Sequence, residues 1–267
     1  MILSRSYHNL NFDIAISNTT GASRVCALPY AAEPVPSDVS VFPQTQPKAL
    51  TQPVEGNWKV CYVLLPEGVM LDVLKWAEKA ADENSCDLVL ISGMDWNADM
   101  SPWLANGVMK KEKLFTGGAA TFLKELIRDS IPAVEQWLGL KAPTRYLIGV
   151  SLSGLFAIWS LVETDVFKGV ASVSGSLWFD GFVDWLAKHP LAGCPAPRLY
   201  LSLGRKEKNV ADKRMATVED CTVAVVESLR EKGADVTFEL LPGTHFSPIV
   251  PRLEAAFSVI LASADPV

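Results

Sequence analysis

From Trp58 onward the sequence alternates short apolar runs with longer stretches of helical periodicity, and no other feature constrains the fold as strongly. The runs "KVCYVLL" (59–65), "DLVLIS" (87–92), "TRYLIGV" (144–150), "KGVASVS" (168–174), "RLYLSLG" (198–204) and "DVTFELL" (235–241) read as strands. Between most of them lie helical spacings, over 70–82, 117–138, 152–163, 180–188, 212–232 and 250–262. A strand, a helix and another strand written repeatedly make crossover units. The expectation is therefore an α/β fold: a mostly parallel twisted sheet with helices on both faces.

The first 57 residues are written differently. "FDIAIS" (12–17) alternates apolar and polar side chains, and "SRVCALPY" (23–30) is positioned to pair with it as an antiparallel edge. Prolines 34, 36, 43, 47 and 53 exclude a regular ladder or helix over 33–53, so a surface loop is predicted there. Too little chain precedes that loop to close a core of its own. Residues 1–267 are thus expected to form one domain, with edge strands and loop in 1–57 and the parallel-sheet core in 58–267. The short stretch between the strands ending at 174 and starting at 198 leaves no room for a large lid.

Composition narrows the partners. A net charge of -6 offers no broad positive field for nucleic acid or an anionic membrane surface, which makes a small molecule the expected partner. Arg5, His8, Asn9 and Asn11 interrupt the N-terminal apolar residues, so neither a secretory signal nor a membrane span is expected. Cys26, Cys61, Cys86, Cys194 and Cys221 are odd in number and widely spaced, as free thiols in a reducing cytoplasm would be. His8, His189 and His245 are equally scattered, and no metal site or cofactor is expected.

The chemistry starts at "GVSLSG" (149–154), where a predicted strand runs straight into a predicted helix. A nucleophilic serine on such a sharp turn needs small residues two before and two after it. For Ser151 these are Gly149 and Ser153; for Ser153 they would include the bulky Leu155, so Ser151 is the candidate nucleophile. The alternative is a tight turn without chemistry. A second cluster, "SVSGS" (172–176), is followed by Trp and Phe instead of a helix start and reads as a polar strand end.

A serine needs a base and an orienting acid, which in this topology follow it in the order Ser, Asp or Glu, His. His245, in "LLPGTHFSPIV" between the last strand and the last helix, is the candidate base; His8 and His189 read as exposed polar residues. The acid is sought in "GRKEKNVAD" after the strand 198–204, where Glu207 lies nearer the strand end and Asp212 is placed to begin the next helix as its cap or a first-turn residue. Glu207 is the choice, with Asp180 and Asp184 as alternatives. Negative charge developing on the substrate oxygen would be met by the backbone N–H of Leu152, with Gly68 or Val69 in "LLPEGV" supplying a second donor.

With these segments assembled, the chain resembles the α/β-hydrolase esterases that include siderophore (enterobactin-type) esterases, feruloyl esterases and S-formylglutathione hydrolases. The resemblance spans 58–262. "DMSPW" (99–103) is similar to the family's Asp-x-Thr-Pro segment, and "TGGAATFLKELIRDSIPAVE" to its Gly-Gly, Phe and Ile-Pro helix. "SGSLWF" is similar to its Ser-Pro-Ser-x-Trp strand end, and "PGTHFSPIVPRLEAAF" to its histidine segment. By that resemblance Ser151, Glu207 and His245 match the triad, and cleavage of a carboxylic ester through an acyl-enzyme is implied. "DWNA" stands where basic residues are common and Glu67-Gly68 where Asp-Gly is common, departures that bear on substrate identity.

Trp96, Trp103 and Trp178 fall in loops at the strand ends and could line an apolar pocket or simply fill the core, the role expected of Trp76, Trp137 and Trp159 on helices. Arg205 and Lys206 read as solvated charges, the alternative being contact with an anionic substrate group. An acyltransferase or thioesterase on the same residues, and a catalytically silent binding module, are the competing readings.

Overall fold

The structure is a computed structural model that describes residues 2–7, 10–18, 24–29, 58–66, 70–84, 86–108, 114–193, 195 and 197–262. The expected loop over 33–53, His8, Gly68 and Val69 lie outside the described residues. In chain order the strands are β1 (Ile2–Tyr7), β2 (Leu10–Asn18), β3 (Arg24–Pro29), β4 (Lys59–Leu64), β5 (Cys86–Ser92), β6 (Leu104–Ala105), β7 (Phe115–Thr116), β8 (Thr144–Val150), β9 (Gly169–Val173), β10 (Arg198–Gly204) and β11 (Asp235–Leu241). The helices are α1 (Met70–Asn84), α2 (Trp96–Asp99), α3 (Ala119–Glu125), α4 (Ile131–Leu138), α5 (Leu152–Glu163), α6 (Phe182–Lys188), α7 (Val218–Glu231) and α8 (Val250–Leu261). They fall into two compact units, one of residues Met1–Met94 and Lys124–Arg145, the other of Asp95–Leu123 and Tyr146–Val267.

In the first unit the strands run in the order β1-β2-β3-β5-β4. β1 pairs with β2 and β2 with β3 in antiparallel fashion, whereas β5 is parallel to both β3 and β4. β5 is buried along its whole length, which explains the apolar run Leu88–Ile91 within it. On α1 the buried side chains Val73, Trp76, Ala77, Ala80 and Ala81 recur at helical spacing. Tyr62 donates to Glu135 across 3.1 Å, and Arg145 grips the same carboxylate through both nitrogens at 2.6 and 2.8 Å. That pairing satisfies a carboxylate that is otherwise buried.

The second unit holds β8-β9-β10-β11 in that order, each strand parallel to its neighbours. Leu152 through Leu161 of α5 are all buried, and a helix apolar on every side is one enclosed by its neighbours. α8 buries Leu253, Ala256, Phe257, Ile260 and Leu261 along one stripe.

Several predicted elements are corrected. The helix expected over 117–138 is interrupted by a π-helical stretch, Leu126–Ser130, in which Ile131 N–H reaches back to Leu126. Pro132 lacks an N–H and crowds the preceding turn, which favours the wider winding just before it. The helix expected from 212 starts at Val218, after a 3-10 turn at Met215–Thr217. The strand expected through 174 ends at Val173, because Ser174 turns out of the ladder with φ 50°. Strand β1, helix α2 and the β6–β7 hairpin carry too few residues, or too little alternation, to announce themselves in the sequence.

Candidate active site

The carboxyl end of β8 runs into α5 through Ser151, whose backbone has φ 59° and ψ −120°. This region is strained for a residue with a Cβ, and the surroundings hold it there. Ser151 N–H donates to the Val173 carbonyl at 3.0 Å, and its own carbonyl accepts from Ser176 N–H at 2.9 Å and Gly154 N–H at 3.0 Å. Position 149 must be glycine, since a Cβ there would lie 1.9 Å from the Ser153 carbonyl oxygen. Ser153 is fully buried; its hydroxyl donates to the Val150 carbonyl at 2.9 Å and accepts from Val150 N–H at 2.7 Å. It therefore locks the turn from inside while Ser151 is left partly exposed.

His245 follows β11 on a loop and brings Nε2 to 3.0 Å from Ser151 Oγ. Its Nδ1 lies 2.8 Å from Glu207 Oε2. An ionised carboxylate only accepts, so Nδ1 carries the proton and Nε2 is left as the acceptor for the serine hydroxyl. Glu207 sits on the turn that leaves β10 and is 5% exposed. The loops that carry Glu207 and His245 are hydrogen-bonded to each other, Arg205 N–H to the Leu241 carbonyl at 2.8 Å and Lys206 N–H to that of Gly243 at 3.0 Å.

The second oxygen of Glu207 is fully engaged as well. Oε1 accepts from Gly204 N–H at 2.7 Å, the Ser174 hydroxyl at 2.8 Å and Arg252 Nη1 at 2.9 Å. Burial by itself would raise the Glu207 carboxyl. The hydrogen bond with His245, then that with Gly204 N–H, the charge of His245 and the Ser174 hydroxyl outweigh it and hold the carboxyl below its ordinary value.

The alternative acids are occupied elsewhere. Asp212 Oδ1 accepts from Arg214 N–H and Met215 N–H, each at 2.9 Å, and so caps the 3-10 turn that runs into α7. Asp180 pairs with Arg214 Nη1 at 2.7 Å, and Asp184 lies exposed in the first turn of α6. Ser174, read from sequence as part of a polar strand end, donates its hydroxyl directly to Glu207. Arg252 was missed altogether, although an arginine in register with Ala256 and Ile260 on the buried stripe of α8 was a visible signal. His189 is half-buried and stacks on Trp185 with ring centroids 4.5 Å apart, not an exposed polar residue as expected.

Leu152 is the first residue of α5, a position whose backbone N–H has no acceptor within its own helix. Trp96 opens α2 and is partly exposed. Trp103 packs among Phe179, Phe182 and Trp185, and its indole N–H donates to the Asp180 carbonyl at 2.9 Å. Trp178 is buried, with the Arg214 guanidinium 5.3 Å from its ring centroid. Arg214 also donates to the carbonyls of Asn106 and Gly107, which ties the segment after β6 to the Trp178–Asp180 loop. Phe246 is 92% exposed and stands edge-on to His245 with ring centroids 5.4 Å apart.

Among the described residues no group of three His, Cys, Asp or Glu side chains could hold a metal ion, and no helix is long and apolar enough to cross a membrane. Cys61, Cys86 and Cys221 are free thiols.

No protein-family model matches the sequence, and no curated protein does. Solved structures do match. The siderophore hydrolase EstB from Aspergillus nidulans superposes with a TM-score of 0.66 at 17% identity, over 100% of this chain and 96% of that one. An IroE-like serine hydrolase from Shewanella oneidensis gives a TM-score of 0.61 at 19% identity, over 75% of this chain and 69% of that one. A ferulic acid esterase gives 0.53 at 14% identity, over 80% of this chain and 89% of that one. These are the kinds of protein that the sequence segments resemble, and likeness at such low identity speaks for a shared fold.

Proposed function

We propose, for a chain that has the α/β-hydrolase fold, that it is a serine esterase cleaving a carboxylic ester of a small molecule through an acyl-enzyme. The observation that carries this reading is the unbroken hydrogen-bonded series from Ser151 Oγ through His245 to Glu207. In the forward step Ser151 Oγ attacks the ester carbonyl carbon while His245 Nε2 takes the hydroxyl proton. Glu207 keeps the imidazole in the tautomer with its proton on Nδ1 and stabilises the imidazolium that forms. The negative oxygen of the tetrahedral intermediate points to the Leu152 N–H. His245 returns its proton to the departing alcohol, and water then repeats the sequence to release the acid and free Ser151.

Solved structures named for siderophore hydrolysis and for a ferulic acid esterase make siderophore esters and hydroxycinnamoyl esters the first natural substrates to try. The exposed Phe246 ring beside His245 supports an apolar or aromatic substituent near the scissile bond. The test is a burst assay with p-nitrophenyl acetate and butyrate, run alongside fluorophosphonate labelling. A stoichiometric burst that Ser151→Ala abolishes is expected. A wild type that neither turns over nor takes the label sinks the reading in favour of a silent binding module. Acyl transfer to an added alcohol or thiol that outruns hydrolysis replaces esterase with acyltransferase.

A further inference from the structure

The geometry points to Arg252 as a positioning residue that aims the Glu207–His245 pair from behind, an inference that rests on the esterase reading of Ser151, His245 and Glu207. Arg252 is 4% exposed and comes from α8, beyond the histidine in the chain. Its guanidinium spends its donors on both halves of the acid–base contact. Nη1 donates to Glu207 Oε1 at 2.9 Å and to the Ser174 hydroxyl. Nη2 donates to the Thr244 carbonyl at 2.9 Å and towards that of Pro242 at 3.5 Å. One planar group therefore references the acid and the backbone leading into His245 to a common frame.

Stability is a weak reason to keep such a group. A buried ion pair contributes little beyond what well-packed apolar side chains of the same volume contribute, because both ions are stripped of water. What the fork supplies is direction. With Oε1 fixed by Arg252, Ser174 and Gly204, the carboxylate cannot rotate, and Oε2 is left facing His245 Nδ1. With the Thr244 carbonyl fixed, the imidazole cannot swing away from Ser151 by moving its loop. The room for the fork comes from Gly204, where a Cβ would lie 2.8 Å from Arg252 Nη2 and 3.0 Å from Glu207 Oε1.

The experiment uses the full chain with Arg252→Met, Arg252→Lys, Glu207→Gln and the double variant Arg252→Met/Glu207→Gln, each checked by circular dichroism. With p-nitrophenyl butyrate, Arg252→Met is expected to lower kcat about 100-fold with KM within about threefold, the scale of a misplaced catalytic group. In the Glu207→Gln background the same change is expected to lower kcat by less than about threefold, because residues that act as one unit are not additive. Arg252→Lys keeps the charge but cannot bridge carboxylate and carbonyl, and is expected to lose about tenfold. An undiminished kcat in folded Arg252→Met, an equal loss in both backgrounds, or a lysine variant equal to wild type overturns the inference.

A second readout is independent of turnover. The low-field proton resonance of His245 Nδ1–H, assigned by its loss in His245→Ala, is expected to shift or broaden away in Arg252→Met and to persist in Arg252→Lys. If it is unchanged in Arg252→Met, the positioning role is wrong even in a protein without esterase activity. An inactive wild type that still shows the expected change defeats only the esterase reading. Should the methionine variant fail to fold, the lysine variant decides on kcat and Ser174→Ala on the resonance, which its loss from Oε1 is expected to shift; an unmoved resonance overturns the inference.

Discussion

Ser151 Oγ lies 3.0 Å from His245 Nε2 although 94 residues of chain separate the two. Parallel strands make this meeting possible. β8 and β11 point the same way, so the turn that ends one and the loop that ends the other emerge on the same edge, where ligands bind in folds of this type. Glu207 joins them from the end of β10 for the same reason.

Ser151→Gly is expected to give a protein that is more stable and inactive. Glycine tolerates φ 59° and ψ −120° freely, whereas a residue with a Cβ is strained there by about 1 kcal/mol or more. Chemical denaturation should show a higher midpoint, and fluorophosphonate labelling should vanish.

Glu207 ties stability to pH. Its carboxyl titrates lower in the folded chain than in the unfolded one, so its contribution is complete above the ordinary carboxylate value of about 4.3 and is lost as pH falls through the folded value. Melting temperatures measured downward from pH 7 should show this loss in the wild type. In Glu207→Gln that part of the slope should be missing. At pH 7 the variant should be less stable by about 3 kcal/mol, since Arg252 is left buried without its carboxylate, and kcat should fall by about 10^3-fold or more.

Gly204→Ala tests the crowding around the acid. The new methyl would come within 2.7 Å of the Gly243 carbonyl oxygen as well as close to Arg252 and Glu207. Far-ultraviolet circular dichroism should be preserved while kcat falls about 100-fold, because the displaced group is the one that aims His245. A variant with wild-type kcat would show that the cluster relaxes without consequence.

Phe246→Ala separates binding from chemistry. At 92% exposure the ring contributes almost nothing to folding, so stability should change by less than about 0.5 kcal/mol. KM for butyrate and aryl esters should rise severalfold with kcat nearly unchanged, the pattern of an interaction made equally in ground and transition states. The change should be smaller for the acetate.

What the sequence determined by itself was whatever is written locally. Strand and helix alternation announced a parallel sheet, since a buried strand and an amphipathic helix each carry their own periodicity. The small residues at 149 and 153 marked Ser151, because steric demand at a tight turn is felt within a few residues. Only the tertiary structure decided which carboxylate meets His245. Glu207 and Asp212 occupy one loop with similar local claims, and the difference between them lies in Gly204 N–H, the Ser174 hydroxyl and Arg252 converging on one. Those partners come from the ends of β10 and β9 and from α8. The energy of a buried charge depends on every group packed around it, and that company is assembled by the fold.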